Sequence, residues 1–532
     1  MNAGAAIANA IWLASGMAAA RRFERALADP AATQDAWLKA QLTRHAASEF
    51  GRRHDFASIG DTSAFVGRVP LTEYAGVEDD IGRIASGEPD VLSCDRVTHL
   101  APTSGSTNAR KLIPFTATLT AAFNAAVFPW LHDLVRQRPR IVGGPAYWSI
   151  SPLAADDRAP SAPVPVGFAD DADYLGGPRA WLVRRALAVP AEVRHARDTD
   201  SFWKLTLLAL LRCRDLRLVS IWHPSFLELL VSAAEPAWLE LVDAVESGDC
   251  PWANALPTSA GDGWRVQPDP DRAADLKRIG ARDWPRWWPM LQLVSCWGEQ
   301  AAEPGWRALA DRLPRALVQP KGLLATECVV TIPLGSDRPL AITSHFFEFL
   351  DENGECRRAH ELERGARYEV VVSNGGGLWR YRLGDVVECT GFLRATPTLR
   401  FLGRAGRTSD LRGEKLSEPF VAEVLRGLWG DDRPSWAALR PREANGVAGY
   451  DLLIATHTQQ SALADRADAA LSRNPHYALA RRLGQLTPVR VISVGSNADL
   501  EELKAFRGRL GDAKPSVLLE GVAQDSLPRS VP

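Results

Sequence analysis

A chain of 532 residues that is 46% hydrophobic and 24% charged has enough apolar material for one large core and a smaller one, so two domains are expected rather than one. Lys and Arg number 62 against 64 Asp and Glu, a formal charge of -2, which excludes the global basic field of a nucleic-acid partner. Seven cysteines, an odd number spread from Cys94 to Cys389 with no C-x-x-C, read as reduced, mostly structural thiols of a cytoplasmic protein.

Met1–Ala20 carries no charged side chain. It is rich in Ala and Gly, no Lys or Arg precedes it, and Arg21-Arg22 follow, the reverse of a signal peptide. The expectation is a helix packed on the main body and not a membrane anchor. A second helix is expected over Asp35–Ser48, with Thr33 as its cap and Trp37, Leu38 and Leu42 on one side. Phe56–Ile81 alternates short apolar segments with turns, and Val91-Leu92 leads past His99, read as structural, to a hydroxyl-rich turn. That turn, Thr103-Ser104-Gly105-Ser106-Thr107, has unhindered backbone N–H groups and a cation four residues on at Lys111, the chemistry of a phosphate cradle. It is not a Walker A loop, which needs Gly where Arg110 stands and Ser or Thr where Leu112 stands.

A helix over Ala117–Gln137 is expected to kink or break at Pro129, and Ala146–Ile150 reads as a strand. The Pro-, Asp- and Gly-rich stretch Ala154–Pro178 reads most simply as a long surface excursion, with a rim of the substrate cavity as the alternative. Helix Ser201–Arg212, strand Leu216–Ile221 and a helix from Pro224 through Leu230 argue for a parallel α/β layer. Trp148, Trp203, Trp222 and Phe226 flank these elements; each reads as core or as a wall of an apolar acid pocket, Trp222 foremost. A short helix with Pro289 then leads into strand Leu291–Ser295, closed by Trp297-Gly298.

Thr326-Glu327 precedes the apolar run Cys328–Leu334, and a hydroxyl beside a carboxylate suits Mg²⁺ held between protein and phosphate oxygens. Tyr381-Arg382-Leu383-Gly384-Asp385 follows strand-like Tyr368–Ser373 and the turn Gly375-Gly376-Gly377. Phe401-Leu402-Gly403-Arg404 and the charged stretch Thr408–Glu418 read as a hinge. Beyond it, a helix near Glu418–Leu428, a strand Tyr450–Thr456, a helix through Leu471, a strand Val489–Val494 and a helix Leu500–Arg509 compose a small α+β lid, with Lys514-Pro515 near the end.

In that order, the hydroxyl loop with its lysine, the Thr-Glu pair, the Tyr-Arg-x-Gly-Asp motif and the late Lys-Pro resemble the adenylate-forming acyl-amido synthetases, whose best known members join plant hormones to amino acids. The similarity runs from about Phe23 to about Leu519. It implies a large N-terminal α/β domain of mixed and parallel sheets flanked by helices (1–403) and a small α+β C-terminal lid (404–532). It implies nucleotide contacts from Thr103, Ser104, Gly105, Ser106, Thr107, Lys111, Thr326, Glu327, Tyr381 and Arg404, adenine against Trp297 and Gly298, and ribose on Asp385. Catalytic roles fall to Glu327, which also holds Mg²⁺, to Lys415, which with Glu418 matches the family's hinge pattern, and to Lys514. Leu323 stands where plant members carry an aromatic residue. The implied activity is a ligation in two steps, activation of a carboxylic acid by ATP and transfer of the acyl group to an amine, with an amino acid as acceptor; a thiol acceptor or a non-catalytic nucleotide binder are the alternatives. A monomer without nucleic-acid or membrane partners is expected.

Overall fold

The computed structural model of the chain describes residues 3–103, 111–149, 163–167, 177–257, 266–299, 302–412, 414–429, 434, 436–444, 447–455, 462–482, 484–494 and 516–519. The first helix, Ala3–Ala26, is long and apolar enough to span a membrane by length and composition. It packs on helices Ala117–Gln137 and Gly177–Ala186. Gly16 makes this possible: a Cβ there would sit 1.8 Å from the Phe128 ring. Asn9 fixes the register, its amide donating to the carbonyls of Val142 and Gly144 at 3.1 and 3.0 Å.

The second helix starts earlier than its pattern suggested, at Pro30, and ends at His45. Asp29 is the cap, accepting from the Ala32 N–H at 3.0 Å, and Pro30 lies in the first turn, where its missing N–H costs nothing. Thr33 instead gives its hydroxyl to the Asp29 carbonyl. The region read as apolar segments and turns contains two short helices, Thr62–Arg68, capped by Asp61, and Glu78–Ala85.

Strands β1 (Val97–Pro102) and β2 (Leu112–Thr116) pair antiparallel as a hairpin with Pro102 opposite Leu112. The helix Ala117–Gln137, capped by Thr116, runs unbroken through Pro129. A proline removes one backbone hydrogen bond, and burial of Phe128 and Leu131 against Trp12 outweighs that loss.

Strands β3 (Ala146–Trp148), β4 (Leu218–Ser220), β5 (Leu293–Cys296) and β6 (Leu317–Pro320) form a parallel sheet in sequence order. Helices Thr199–Arg212 and Pro224–Ser232 join them at the expected places, with strand ends shifted by at most two residues. The Pro289 segment is not a helix; the single helical turn precedes it, at Trp284–Arg286. Most of Ala154–Pro178 lies outside the described residues.

Strands β7 (Phe346–Leu350), β8 (Cys356–Arg358), β9 (Arg367–Ser373), β10 (Tyr381–Leu393) and β11 (Thr396–Arg404) make a second, antiparallel sheet ordered β11-β10-β9-β7-β8. Beneath it the Arg380 guanidinium makes two contacts with Glu348, at 2.9 and 2.8 Å, and reaches the carbonyls of Val66 and Val69, tying the sheet to the N-terminal helices. The molecule is thus a mixed α/β fold.

The remainder has its own apolar cluster, drawn from residues between Leu416 and Leu518. Strands β12 (Thr408–Ser409) and β13 (Leu416–Ser417) form a minimal hairpin, followed by the expected helix Glu418–Leu428. Strands β14 (Ala437–Ala444), β15 (Val447–Ile454) and β16 (Arg490–Ser493) form a mixed sheet, antiparallel then parallel. Strand β14 escaped the pattern because Arg440 and Arg442 interrupt it; both pair with the buried Asp451, at 2.9 and 3.1 Å, so the charges are carried inside the fold. Helix Pro475–Arg482 was also not anticipated, and the expected helix Leu500–Arg509 lies outside the described residues.

Candidate active site

The hairpin tip is closed by the Thr103 N–H, which donates to the Lys111 carbonyl at 2.9 Å. The Thr103 hydroxyl is buried without a hydrogen bond to any described residue, so it remains able to serve a ligand. Ser104, Gly105, Ser106 and Thr107 lie outside the described residues. Lys111 extends its ammonium to 5.5 Å from the Tyr74 ring. The Tyr74 hydroxyl accepts from the Leu112 N–H at 2.9 Å, and burial raises its pKa. Tyr74 therefore anchors the lysine end of the loop. No sequence signal pointed to it beyond an aromatic residue in a polar segment.

Thr72 links this corner to the next motif: its N–H donates to the Arg380 carbonyl at 3.0 Å and its carbonyl accepts from Arg382 at 2.8 Å, straddling Tyr381. Tyr381 is buried at 3% exposure. Its pKa is raised, first by burial and then by the negative charge of Glu327, which places that carboxylate nearby. Glu327 is 7% exposed, and its carbonyl accepts from the Asn374 amide at 2.8 Å. Asn374 also accepts from Gly376 and Leu378, so the glycine turn and the Thr-Glu loop are held as one unit. Thr326 is half-buried beside it. Leu323 is packed in the main core at 2% exposure and offers no stacking face.

Asp385 and Arg404 are directly opposed in the β10–β11 register, and the Arg404 Nε donates to Asp385 at 3.0 Å. The Asp385 side chain is fully buried, whereas Arg404 is 39% exposed. The Asp385 carboxylate, which the resemblance assigns to the ribose, lies beneath Arg404, because cross-strand register brings opposite charges together in a dry setting. Asp385 raises the Arg404 pKa most strongly, with Glu327 and Glu418 adding to it. Arg404 thus sits among three carboxylates from three separate stretches of chain.

Glu418, at the start of its helix, accepts from the Arg404 N–H at 3.3 Å and from the Val517 N–H at 3.1 Å, and receives the Ser516 hydroxyl. One buried carboxylate therefore joins the end of β11 to a segment near the C-terminus. Lys514 itself lies outside the described residues. Lys415 is exposed at the β12–β13 turn with φ of +47°, and beside it the buried Glu414 accepts from the Leu411 and Arg412 N–H groups and from Tyr450. The structure does not bring the Lys415 side chain into the Glu327 cluster.

Trp297 and Gly298, which the resemblance sets against the adenine, follow the end of β5. Trp297 is 7% exposed, edge-on to Phe401 with ring centres 5.6 Å apart, and a Cβ on Gly298 would lie 2.7 Å from Pro320. Close packing of the end of β5 on the end of β6 accounts for the glycine. His99 stacks on Phe115 at 5.0 Å and bonds Thr98, a structural placement as expected. Among the described residues no group of three or more His, Cys, Asp or Glu side chains forms a cation cage. A single carboxylate at Glu327 fits a divalent ion that takes its other ligands from phosphate and water, as Mg²⁺ does.

A parallel sheet, a hydroxyl hairpin with its lysine, and a Glu–Tyr–Arg–Asp cluster at the junction with a small C-terminal unit define an adenylate-forming enzyme, an ATP-dependent ligase. Family models match more than half of the chain, the GH3 family N-terminal domain over residues 19–315 and the GH3 family central domain over residues 339–404. The chain belongs to the GH3 family. It is 27% identical over 363 residues to the probable indole-3-acetic acid-amido synthetase GH3.6 of Oryza sativa subsp. japonica, covering 59% of this chain and 73% of that one. It is 25% identical over 412 residues to the indole-3-acetic acid-amido synthetase GH3.15 of Arabidopsis thaliana, covering 70% and 67%. Among solved structures it shares the fold of the GH3.15 acyl acid amido synthetase in complex with 2,4-DB, with a TM-score of 0.80 at 19% identity over 94% of both chains. The 2-hydroxyisobutyryl-CoA ligase in its postadenylation state follows, with a TM-score of 0.54 at 13% identity over 94% and 92%.

Proposed function

We infer that this chain activates a small carboxylic acid with ATP and passes the acyl group to the amine of an amino acid. The observation that carries the reading is convergence: Lys111, Tyr74, Tyr381, Glu327, Arg404 and Asp385, spread over more than 300 residues, form one connected corner. In the first step an acid oxygen attacks the α-phosphorus of ATP, the bond to the bridging oxygen breaks, and pyrophosphate leaves. In the second, the amine attacks the acyl carbon and AMP leaves with the bonding electrons. Such chemistry asks the protein for positioning and charge stabilisation.

The residues divide that labour. Thr103 and Lys111 would grip phosphate oxygens at the hairpin tip, while Arg404, steadied by Asp385, would face the transferring group. Glu327 would hold Mg²⁺, which screens phosphate charge when bound. Glu418 would set the relation between the β11 end and the C-terminal segment that follows Lys514, so that closure of the 404–532 unit completes the site. The test is exchange of labelled pyrophosphate into ATP across a panel of carboxylic acids, followed by product analysis with amino acids and with a thiol. Exchange with amide formation supports the reading; exchange with thioester formation alone moves it to a thiol acceptor, and ATP binding without exchange on any acid refutes it.

A further inference from the structure

The first helix, Ala3–Ala26, presents two faces with different surroundings. Its inner face, with Ala5, Ala8, Trp12, Gly16 and Phe23, is buried against the body, and Asn9 holds the register there. Its outer face carries Ile7, Ile11, Ala14 and Ala18, all exposed and spaced so that they fall on one stripe, with Met17 at its flank. Ile7, Ile11 and Met17 are 62%, 51% and 41% exposed. No other element among the described residues exposes more than one large apolar side chain, so this is a patch and not the single scattered residues that any surface shows. The same stripe continues into Arg21, Arg22 and Arg25, all exposed. The turn between β10 and β11 brings a further cation to that end of the helix, where the Arg394 guanidinium donates to the Glu24 carbonyl at 2.9 Å.

A surface helix in water normally turns charged side chains outward. From Ala3 to Ala20 this one has none to turn, since the stretch contains no Asp, Glu, Lys or Arg. A helix with one face docked on protein, the other apolar, and cations gathered at one end suits the plane of a lipid interface. A second copy of the chain is the rival occupant, and area decides against it. The stripe is about 24 Å long and about 10 Å wide, on the order of 240 Å², well below the roughly 800 Å² per partner that a stable dimer buries. A bilayer sets no such threshold, because it needs no complementary surface and each apolar side chain adds to binding as it enters. Charge points the same way. Three arginines against the single acid of the helix, Glu24, attract anionic headgroups and gain nothing from a second copy bearing the same charge.

We propose that the outer face of the first helix is a contact for an anionic membrane surface, with Ile7, Ile11 and Met17 in the acyl boundary and Arg21, Arg22 and Arg25 among the headgroups. The helix lies on the bilayer and does not span it, because Trp12, Gly16 and Asn9 stay engaged with the body. The association is reversible, since three large side chains and a row of alanines bury too little apolar surface for a permanent anchor. It departs from the expectation of no membrane partner because exposure, which composition does not give, separates the two faces. It stands independently of the acyl-activating reading.

The experiment measures co-sedimentation of the full chain with vesicles of phosphatidylcholine alone and of phosphatidylcholine and phosphatidylglycerol in equal parts. It compares wild type, the double variant Ile7→Asp/Ile11→Asp and the double variant Arg21→Gln/Arg22→Gln, each with a thermal melt and a sedimentation-velocity run in lipid-free buffer. At about a fivefold gain per arginine near an anionic surface, wild type should bind the mixed vesicles on the order of ten- to a hundredfold more tightly than the neutral ones, and high salt should erase the difference. Ile7→Asp/Ile11→Asp should abolish binding to both without moving the melting temperature, since both positions face solvent. Arg21→Gln/Arg22→Gln should cut the preference for mixed vesicles by about tenfold or more. If the aspartate variant fails to fold, the arginine variant decides, its loss of preference supporting the proposal and full retention overturning it. A wild type that stays in solution with both vesicles overturns the proposal, as does binding that survives Ile7→Asp/Ile11→Asp. A wild-type dimer that this variant dissolves also overturns it and gives the stripe to a second copy.

Discussion

Replacing Glu327 by Gln keeps the side-chain volume and the backbone contact with Asn374 while removing one negative charge from the corner shared by Tyr381 and Arg404. Two consequences separate cleanly. Arg404 retains Asp385 at 3.0 Å, so its position survives and the melting temperature should move little. The chemistry should not survive as well: losing one preorganised electrostatic group typically costs about a hundred- to a thousandfold in rate, or about 2.7–4 kcal/mol of transition-state stabilisation. If the lost function is Mg²⁺ binding, the deficit should also shrink as Mg²⁺ is raised. The assay is pyrophosphate exchange titrated with Mg²⁺, paired with nucleotide affinity in chelator and a thermal melt. Exchange within about threefold of wild type at ordinary Mg²⁺ would refute the assignment, since so small an effect is that of a bystander charge. A loss of metal-free nucleotide affinity as large as the loss of rate would equally refute it, because it would make Glu327 a general binding residue.

Lys514→Ala should slow acyl-adenylate formation by about a hundred- to a thousandfold, while amide formation from a supplied acyl-adenylate is much less affected; single-turnover measurement of both half-reactions checks this, and equal loss in both contradicts it. Glu348→Gln breaks a pair whose side chains are 5% and 1% exposed, leaving the Arg380 guanidinium uncompensated in the core, and should cost about 3–5 kcal/mol in urea unfolding. His345 is wholly buried and held neutral, its pKa pushed down to about 3 by burial. The unfolded imidazole takes up a proton near its ordinary 6.5, so stability falls as pH drops below 6.5 towards 3, approaching about 1.4 kcal/mol per pH unit from this residue. Melting curves between pH 7.5 and 5 should show a shallower pH slope in His345→Gln than in wild type.

The sequence by itself determined what short-range chemistry can encode. Helix Glu418–Leu428 is found within its expected bounds because an apolar period, with Pro419 in the first turn, fixes it locally, and the alternation of helix and strand around Leu218–Ser220 announces a parallel layer. The ordered motifs of hydroxyl loop, Thr-Glu, Tyr-Arg-x-Gly-Asp and Lys-Pro likewise carry the enzyme class, since residue type and spacing are all they require. Tertiary packing decided the rest. Pro129 does not break its helix because burial of its neighbours offsets one lost hydrogen bond, and β14 forms despite Arg440 and Arg442 because a buried Asp451 from another strand receives them. Cross-strand register pairs Asp385 with Arg404, close packing on Pro320 claims Gly298, and Thr72 straps Tyr74 beside Tyr381. Lys321 shows the same limit most plainly. Around its ammonium, Ser220 with Trp222, Ser295 and Trp130 come from three separate stretches of chain, and such an environment exists only once long-range contacts have paid the entropy of bringing them together.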